Sequence, residues 1–399
     1  MLTNVFADRA PGSLGVAVSG GSDSTALLHL ANTWGRANGV RIEAATVDHG
    51  LRAEAAVEAQ AVAALCSELG VRHEILPWRG WDGAGNIQDQ ARRARYGLIA
   101  DWADRRGIAA VALGHTADDQ AETFLMRLAR GTGVDGLSGM GLSRMSRGIE
   151  WLRPLLAVRR RALRDYLTEQ GLSWVEDPSN EDEAYQRVRV RKALAVLEGL
   201  GIGAPQIVAT SARLRSARNA LEQETRRLAQ EVTRLEDGDL LFERARFNEC
   251  LPEIRARLLT EALCWVASAP YGPRRESLMG AEDKQRQGTS STLHGCRILV
   301  GACEFRVTRE WRAVQDCVGP TNALWDQRWS VSGPDIKGLE VRPLGESGLR
   351  LCPDWRATGR PSASLVATPA VWHVRTLLAA PLAGMAGDWT ASLISRPFR

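Results

Sequence analysis

Six consecutive residues, Ser19-Gly20-Gly21-Ser22-Asp23-Ser24, set paired glycines, three hydroxyls and a carboxylate between an apolar run, Leu14 to Val18, and a helix-like start at Thr25-Ala26-Leu27-Leu28. Paired glycines reach backbone conformations closed to other residues, and successive amides at a helix N-terminus converge on one spot and favour an anion. That spot suits a pyrophosphate. The turn has neither the Gly-Lys-Ser/Thr of a Walker loop nor the G-x-G-x-x-G dinucleotide spacing. A pyrophosphate leaving group needs donors and a metal ion, so the amides of Gly20 to Ser24 and the hydroxyls of Ser19, Ser22 and Ser24 read as phosphate donors. Asp23 would repel phosphates unless Mg²⁺ bridges them or it caps the helix, and a metal or catalytic role is the expectation.

Asp119 and Glu122 are three residues apart, which puts both carboxylates on one helix face near its favourable N-terminal end. Such a pair can hold an ammonium group or a metal ion, or simply start a solvated helix. His115, just upstream, is either a general base or a structural strand-end histidine. Asn86, Gln90, Arg92, Arg95 and Tyr96 form a further polar cluster, in which Arg92 and Arg95 share a face and can neutralise phosphate charge. The glycine-rich stretch Gly131 to Gly136 reads as a mobile loop. Arginines then gather at Arg144, Arg147, Arg153, Arg159, Arg160, Arg161 and Arg164, and again at Arg187, Arg189 and Arg191, a pattern that attracts phosphate backbones. Glu181, Asp182 and Glu183 offset part of that charge.

These groups need elements to position them. Apolar runs at Leu14 to Val18, Ile42 to Val47, Glu74 to Leu76 and Ala109 to Leu113 recur about every 30 residues, each followed by helical periodicity. That alternation predicts a doubly wound parallel sheet, in which ligands bind beyond the carboxyl ends of the strands. Ser19 to Ser24, Asp48-His49-Gly50-Leu51-Arg52 and Gly114 to Gln120 all fall at such ends. From about Gln206 to Leu235 a heptad-like pattern predicts a helix of ~45 Å at 1.5 Å per residue. The expected division is a catalytic domain at 1–200, a helical linker at 201–240 and a smaller α+β C-terminal region at 241–399. Within that region Cys296 to Val300 and Phe305 to Val307 read as strands, and the tail after Asn322 has few periodic signals.

At 399 residues with 25% charged residues and a net charge of +4, the chain allows nucleic-acid binding without requiring it. Only Lys192, Lys284 and Lys337 are lysines, a bias that fits genome base composition. Seven cysteines without a C-x-x-C pair argue against a zinc site or a disulfide framework, and Cys66 reads as a core filler. No apolar run approaches a membrane span, so a soluble cytoplasmic protein is expected.

The SGGxDS loop resembles that of the PP-loop ATP pyrophosphatases. With Asp48 to Arg52, Ala91 to Tyr96, His115 to Thr123, Arg130 to Met140, Asp177-Pro178-Ser179-Asn180 and the spaced arginines Arg187, Arg189 and Arg191, the chain is similar to bacterial tRNA(Ile)-lysidine synthetases across about residues 12 to 195. Tyr271 to Arg275 and Thr292 to Cys296 are faintly similar to that family's C-terminal substrate-binding region. The resemblance implies a ligase that changes the wobble cytidine of a CAU-anticodon isoleucine tRNA into lysidine, with ATP, Mg²⁺ and L-lysine. Cytidine O2 would attack the α-phosphate and release pyrophosphate; the lysine ε-amine would then attack C2 and expel AMP. It further implies ATP contacts at Ser19, Gly20, Gly21, Ser22, Asp23, Ser24, Val47 and Arg95, with the metal on Asp23. Asp119 and Glu122 would hold lysine, and Arg153, Arg187, Arg189 and Arg191 would meet tRNA. Asp23, Arg95, Asp119 and Glu122 would serve catalysis, and a homodimer fits the family. A tRNA thiolase would want cysteines near the loop, an amidoligase a glutaminase partner, and a non-enzymatic RNA adaptor a depleted acidic or glycine set; none of these is seen in the sequence.

Overall fold

The computed structural model describes residues 2–6, 11–50, 54–79, 87–176 and 186–398. Leu51, Arg52, Asn86, Asp177 to Asn180 and Glu181 to Glu183, singled out above, lie outside the described residues. The chain divides into two compact units, Met1–Arg218 and Asn219–Arg399.

In the first unit a short helix α1 (Leu2–Val5) precedes β1 (Ser13–Ala17), α2 (Ser22–Asn38), β2 (Arg41–Asp48), α3 (Glu54–Glu68), β3 (Arg72–Pro77), α4 (Ile87–Arg105) and β4 (Ala110–Leu113). Then follow α5 (Ala117–Leu128), α6 (Val134–Leu137), β5 (Ser143–Ser146), β6 (Ile149–Leu152), α7 (Arg160–Glu169), α8 (Gln186–Glu198) and α9 (Ala204–Val232). The sheet order is β3-β2-β1-β4-β6-β5. Every neighbouring pair is parallel except β5 with β6, so the expected parallel sheet gains an antiparallel edge.

Central β1 is covered on both faces, with Leu14 and Val16 fully buried. Gly15 lets Trp102 lie against it: a Cβ there would stand 3.0 Å from both the Trp102 ring and Val111. One face packs on α2, α3 and α7 through Leu27, Leu28, Val62, Cys66 and Leu163, and the other on α4 through Ile99, Trp102 and Ala103. Burial pushes the Cys66 thiol up to about 12, as suits a core filler. β1 sits between β2 and β4, and the chain runs outward to opposite sides from it, so the topological switch lies beyond the carboxyl ends of β1 and β4.

The 206–235 periodicity corresponds to α9, a helix of 29 residues that crosses the boundary between the units. It stops at Val232 because the chain turns into β7 (Thr233–Glu236), which pairs with β8 (Asp239–Glu243). In the second unit α10 (Arg244–Glu249), α11 (Pro252–Ala267) and α12 (Arg275–Arg286) precede β9 (Ser291–Leu293), β10 (Cys296–Val300) and β11 (Glu304–Arg309). The antiparallel sheet β7-β8-β11-β10-β9 packs against α11 around stacked Phe242 and Phe305, whose ring centroids are 4.7 Å apart. The tail forms a small four-stranded sheet and a two-stranded one, each built from strands of two to five residues. Among the described residues no helix is long and apolar enough to cross a membrane.

Candidate active site

A cavity of about 560 Å³ opens beyond the carboxyl ends of β1, β2 and β4. The loop after β1 forms one wall. Gly20 has a φ of 87°, which a side chain disfavours. Its carbonyl accepts from the Val175 amide at 2.9 Å and the Thr25 hydroxyl at 3.2 Å. The Ser24 hydroxyl accepts from the Ser19 amide at 3.1 Å and donates to the Gly21 carbonyl at 3.0 Å. The loop therefore holds its own shape, and Ser22 to Ser24, whose first-turn amides the helix does not satisfy internally, line the cavity.

Gly114 fixes how closely β4 passes this loop. A Cβ there would lie 3.1 Å from the carbonyl group of Asp23 and from Cα of Ser24, all backbone atoms. Gly114→Ala must displace the helix start, so the KM for ATP is expected to rise about tenfold with the fold intact, checked by ATP titration and circular dichroism.

At the start of α5 Thr116 forms a capping box. Its hydroxyl accepts from the Asp119 amide at 3.3 Å, while the Thr116 amide and hydroxyl both donate to Asp119 Oδ2 at 2.8 Å. This box points Asp119 and, one turn on, Glu122 inward, leaving the Glu122 side chain 1% exposed. Three guanidinium groups meet the carboxylates there. Arg160 reaches Asp23 at 2.8 Å, Asp119 at 3.3 Å and Glu122 at 3.5 Å. Arg187 reaches Asp119 at 2.8 Å and Glu122 at 2.5 Å, and Arg191 reaches Glu122 at 2.6 Å.

The charges shape one another. Burial raises the Asp23 carboxyl, and Arg160 offsets only part of that rise. Burial also pushes Asp119 up, but Arg160, Arg187 and the Thr116 amide outweigh it and hold the carboxyl below its ordinary value. Burial works against the charge on Arg160, yet Asp23 and Asp119 hold its pKa above the usual arginine value. Arg95 is different. It lines the cavity without an ion-pair partner among the described residues, and burial lowers its pKa. A desolvated, unpaired guanidinium facing a cleft is suited to a phosphate.

His115 has a buried Nδ1 without a hydrogen-bond partner among the described residues, and burial pulls its pKa to about 4. The folded state thus prefers the neutral ring. That contribution to stability is complete above the unfolded value of 6.5 and is lost as pH falls toward about 4. His29, His49 and His73 shift in the same direction, so only a difference between variants isolates His115. Urea unfolding at pH 7.5 and pH 5 is expected to show a smaller acid loss for His115→Gln than for the parent, by roughly 1–2 kcal/mol.

Ser19, Gly21, Ser22, Asp23, Ser24, Val47, Arg95, His115 and Asp119 all line the cavity; Gly20 and Glu122 do not, but they bond the lining residues Val175, and Arg160 and Arg191, respectively. Of the arginines set aside for RNA, Arg187 and Arg191 turn into this site, while Arg189 between them is exposed. Arg153 stands apart. It is 7% exposed, donates to the Gly141 carbonyl at 3.0 Å and bonds Tyr96, an environment that suits support of the fold and not a phosphate backbone. Sequence reading missed Arg160 as a site residue because it stands in a run of three arginines. The available signal was its place beyond an apolar strand, β6, beside β4.

Residues 1–197 match the PP-loop domain family. A tRNA(Ile)-lysidine synthase of Ruegeria pomeroyi is 50% identical over 98% of this chain and 93% of its own length. One from Wolbachia pipientis wMel is 37% identical over 82% of this chain and 78% of its own length. Another, from Hyphomonas neptunium, is 41% identical over 71% and 78%. With this crevice carried on a PP-loop domain, the chain belongs to the tRNA(Ile)-lysidine synthase family.

Proposed function

We propose that this protein joins the ε-amine of L-lysine to C2 of the wobble cytidine in a CAU-anticodon isoleucine tRNA, converting ATP to AMP and pyrophosphate. The observation that carries this reading is one crevice lined both by an anion cradle around Ser19 to Ser24 and by Asp119, with the buried Glu122 carboxylate joined to it through Arg160 and Arg191. The cradle suits a departing pyrophosphate, and the two carboxylates suit an ammonium.

In the first step cytidine O2 bonds the α-phosphorus as the bond to the β-phosphate oxygen breaks, and pyrophosphate leaves. The amides at the start of α2 meet the charge that develops on it. Arg95 faces the phosphates from the other side, and Val47 with its strand neighbours offers an apolar wall to the base. In the second step the amine nitrogen bonds C2 and the C2–O2 bond breaks, releasing AMP. A lysine ammonium has a pKa near ~10.4, so it must shed a proton before attack. Asp119, held ionised, binds and orients the ammonium.

Asp23, whose Oδ2 pairs with Arg160 at 2.8 Å while its Oδ1 accepts from the Ser22 hydroxyl at 3.3 Å, would turn Oδ1 to Mg²⁺, with substrate phosphates completing the shell. When bound there it would offset phosphate charge. Arg189 and the region 241–399 would contact the tRNA, and a cytoplasmic homodimer fits the same reading.

Purified protein given this tRNA, ATP and radiolabelled lysine is expected to yield labelled tRNA, AMP and pyrophosphate in equal amounts. Release of ADP, or lysine incorporation that survives omission of tRNA, would overturn the reading.

A further inference from the structure

Both carboxylate oxygens of Glu122 are engaged by arginines. Its Oε2 accepts from Arg187 at 2.5 Å and its Oε1 from Arg191 at 2.6 Å. Asp119 is equally engaged, with Oδ1 accepting from Arg187 at 2.8 Å and Oδ2 from the Thr116 amide and hydroxyl at 2.8 Å. An ammonium group needs two or three of these oxygens within hydrogen-bond reach. Guanidinium groups already occupy the near positions around these oxygens, so an ammonium enters most readily by taking the place of one. Exchange of cations is also what burial demands, because a carboxylate stripped of its counter-charge in this crevice is strongly penalised.

The cations differ in exposure. Arg160 is tied to Asp23 as well, and its backbone amide donates to Asp118 at 2.7 Å, so it is anchored at both ends with 22% of its side chain exposed. Arg187 and Arg191 stand four residues apart on one face of α8 and keep 41% and 29% of their side chains exposed. Solvent-borne phosphate can reach both while they touch the carboxylates, and guanidinium forks pair with phosphate as well as with carboxylate.

We propose that Arg187 and Arg191 are placeholders for the substrate ammonium: an RNA backbone draws them off Glu122 and Asp119, and the amine takes the released oxygens. This rests on the lysine-and-tRNA reading above. Before RNA arrives, free lysine competes with two tethered cations at high effective concentration, so its affinity is low. RNA and amine therefore bind with positive coupling, and the coupling is reciprocal. The device orders the reaction, admitting the nucleophile only to an enzyme that already holds its RNA.

The test is equilibrium binding of radiolabelled L-lysine to the full chain, with a non-hydrolysable ATP analogue present, with and without CAU-anticodon isoleucine tRNA. In the unaltered protein tRNA is expected to tighten lysine by about tenfold or more; this comparison needs no substitution. In Arg187→Gln and in Arg191→Gln, lysine is expected to bind without tRNA nearly as tightly as the parent does with it, and the effect of tRNA shrinks to about twofold. Arg187→Lys, which keeps the charge, retains most of the coupling. Lysine affinity independent of tRNA in the parent, or Gln variants that bind lysine more weakly with coupling unchanged, would overturn the proposal. Failure of the functional reading looks different: the parent then binds no lysine under either condition.

Discussion

Arg95→Met is expected to slow pyrophosphate release by about 100- to 1,000-fold, the range seen when one preorganised donor is removed from a developing charge. The KM for lysine is expected to stay within about twofold, since Arg95 makes no ion pair with Asp119 or Glu122. Its desolvated guanidinium, which has no ion-pair partner among the described residues, is a burden on the unliganded fold. Met keeps the apolar stem and removes the charge, so thermal unfolding of the variant is expected no lower than that of the parent. Stopped-flow detection of pyrophosphate with a parallel melting curve separates the two roles. A variant that melts early but turns over normally would make Arg95 structural.

Glu122→Gln carries the second large effect. The amide preserves the shape but removes the charge from a group that Arg160, Arg187 and Arg191 all approach within 3.5 Å. Loss of a charge-assisted contact to the substrate ammonium is expected to raise the KM for lysine roughly 10- to 100-fold. ATP binding changes less than about threefold, because the loop hydrogen bonds at Ser19 to Ser24 do not involve Glu122. Separate titrations of lysine and ATP check this, and equal losses in both would mean that the carboxylate serves the nucleotide.

These sites were legible in the sequence to different depths. Ser19 to Ser24 follow a buried strand and start a helix, a local arrangement that neighbouring residues fully determine, and β1 and α2 fall where the pattern puts them. Asp119 and Glu122 were equally readable, since helix spacing alone puts them on one face and Thr116 supplies the cap. The edge strand β5 was not: Ser143–Ser146 is mostly exposed and carries no apolar alternation. The partners of the arginines were hidden for another reason. Arg153, Arg160, Arg187 and Arg191 look alike in sequence, and only folding decides that one is buried against Gly141 while three converge on carboxylates 38 or more residues away in the chain. In the tail, strands as short as Gly319–Pro320 are too brief to print a period.

The most direct measurement uses ATP labelled at the α-phosphate, the CAU-anticodon tRNA and no lysine. The account predicts that label enters the RNA as an adenylate while pyrophosphate is released, and that added lysine discharges the label as AMP. Formation of lysyl-adenylate in the absence of tRNA, with no label reaching the RNA, would contradict it.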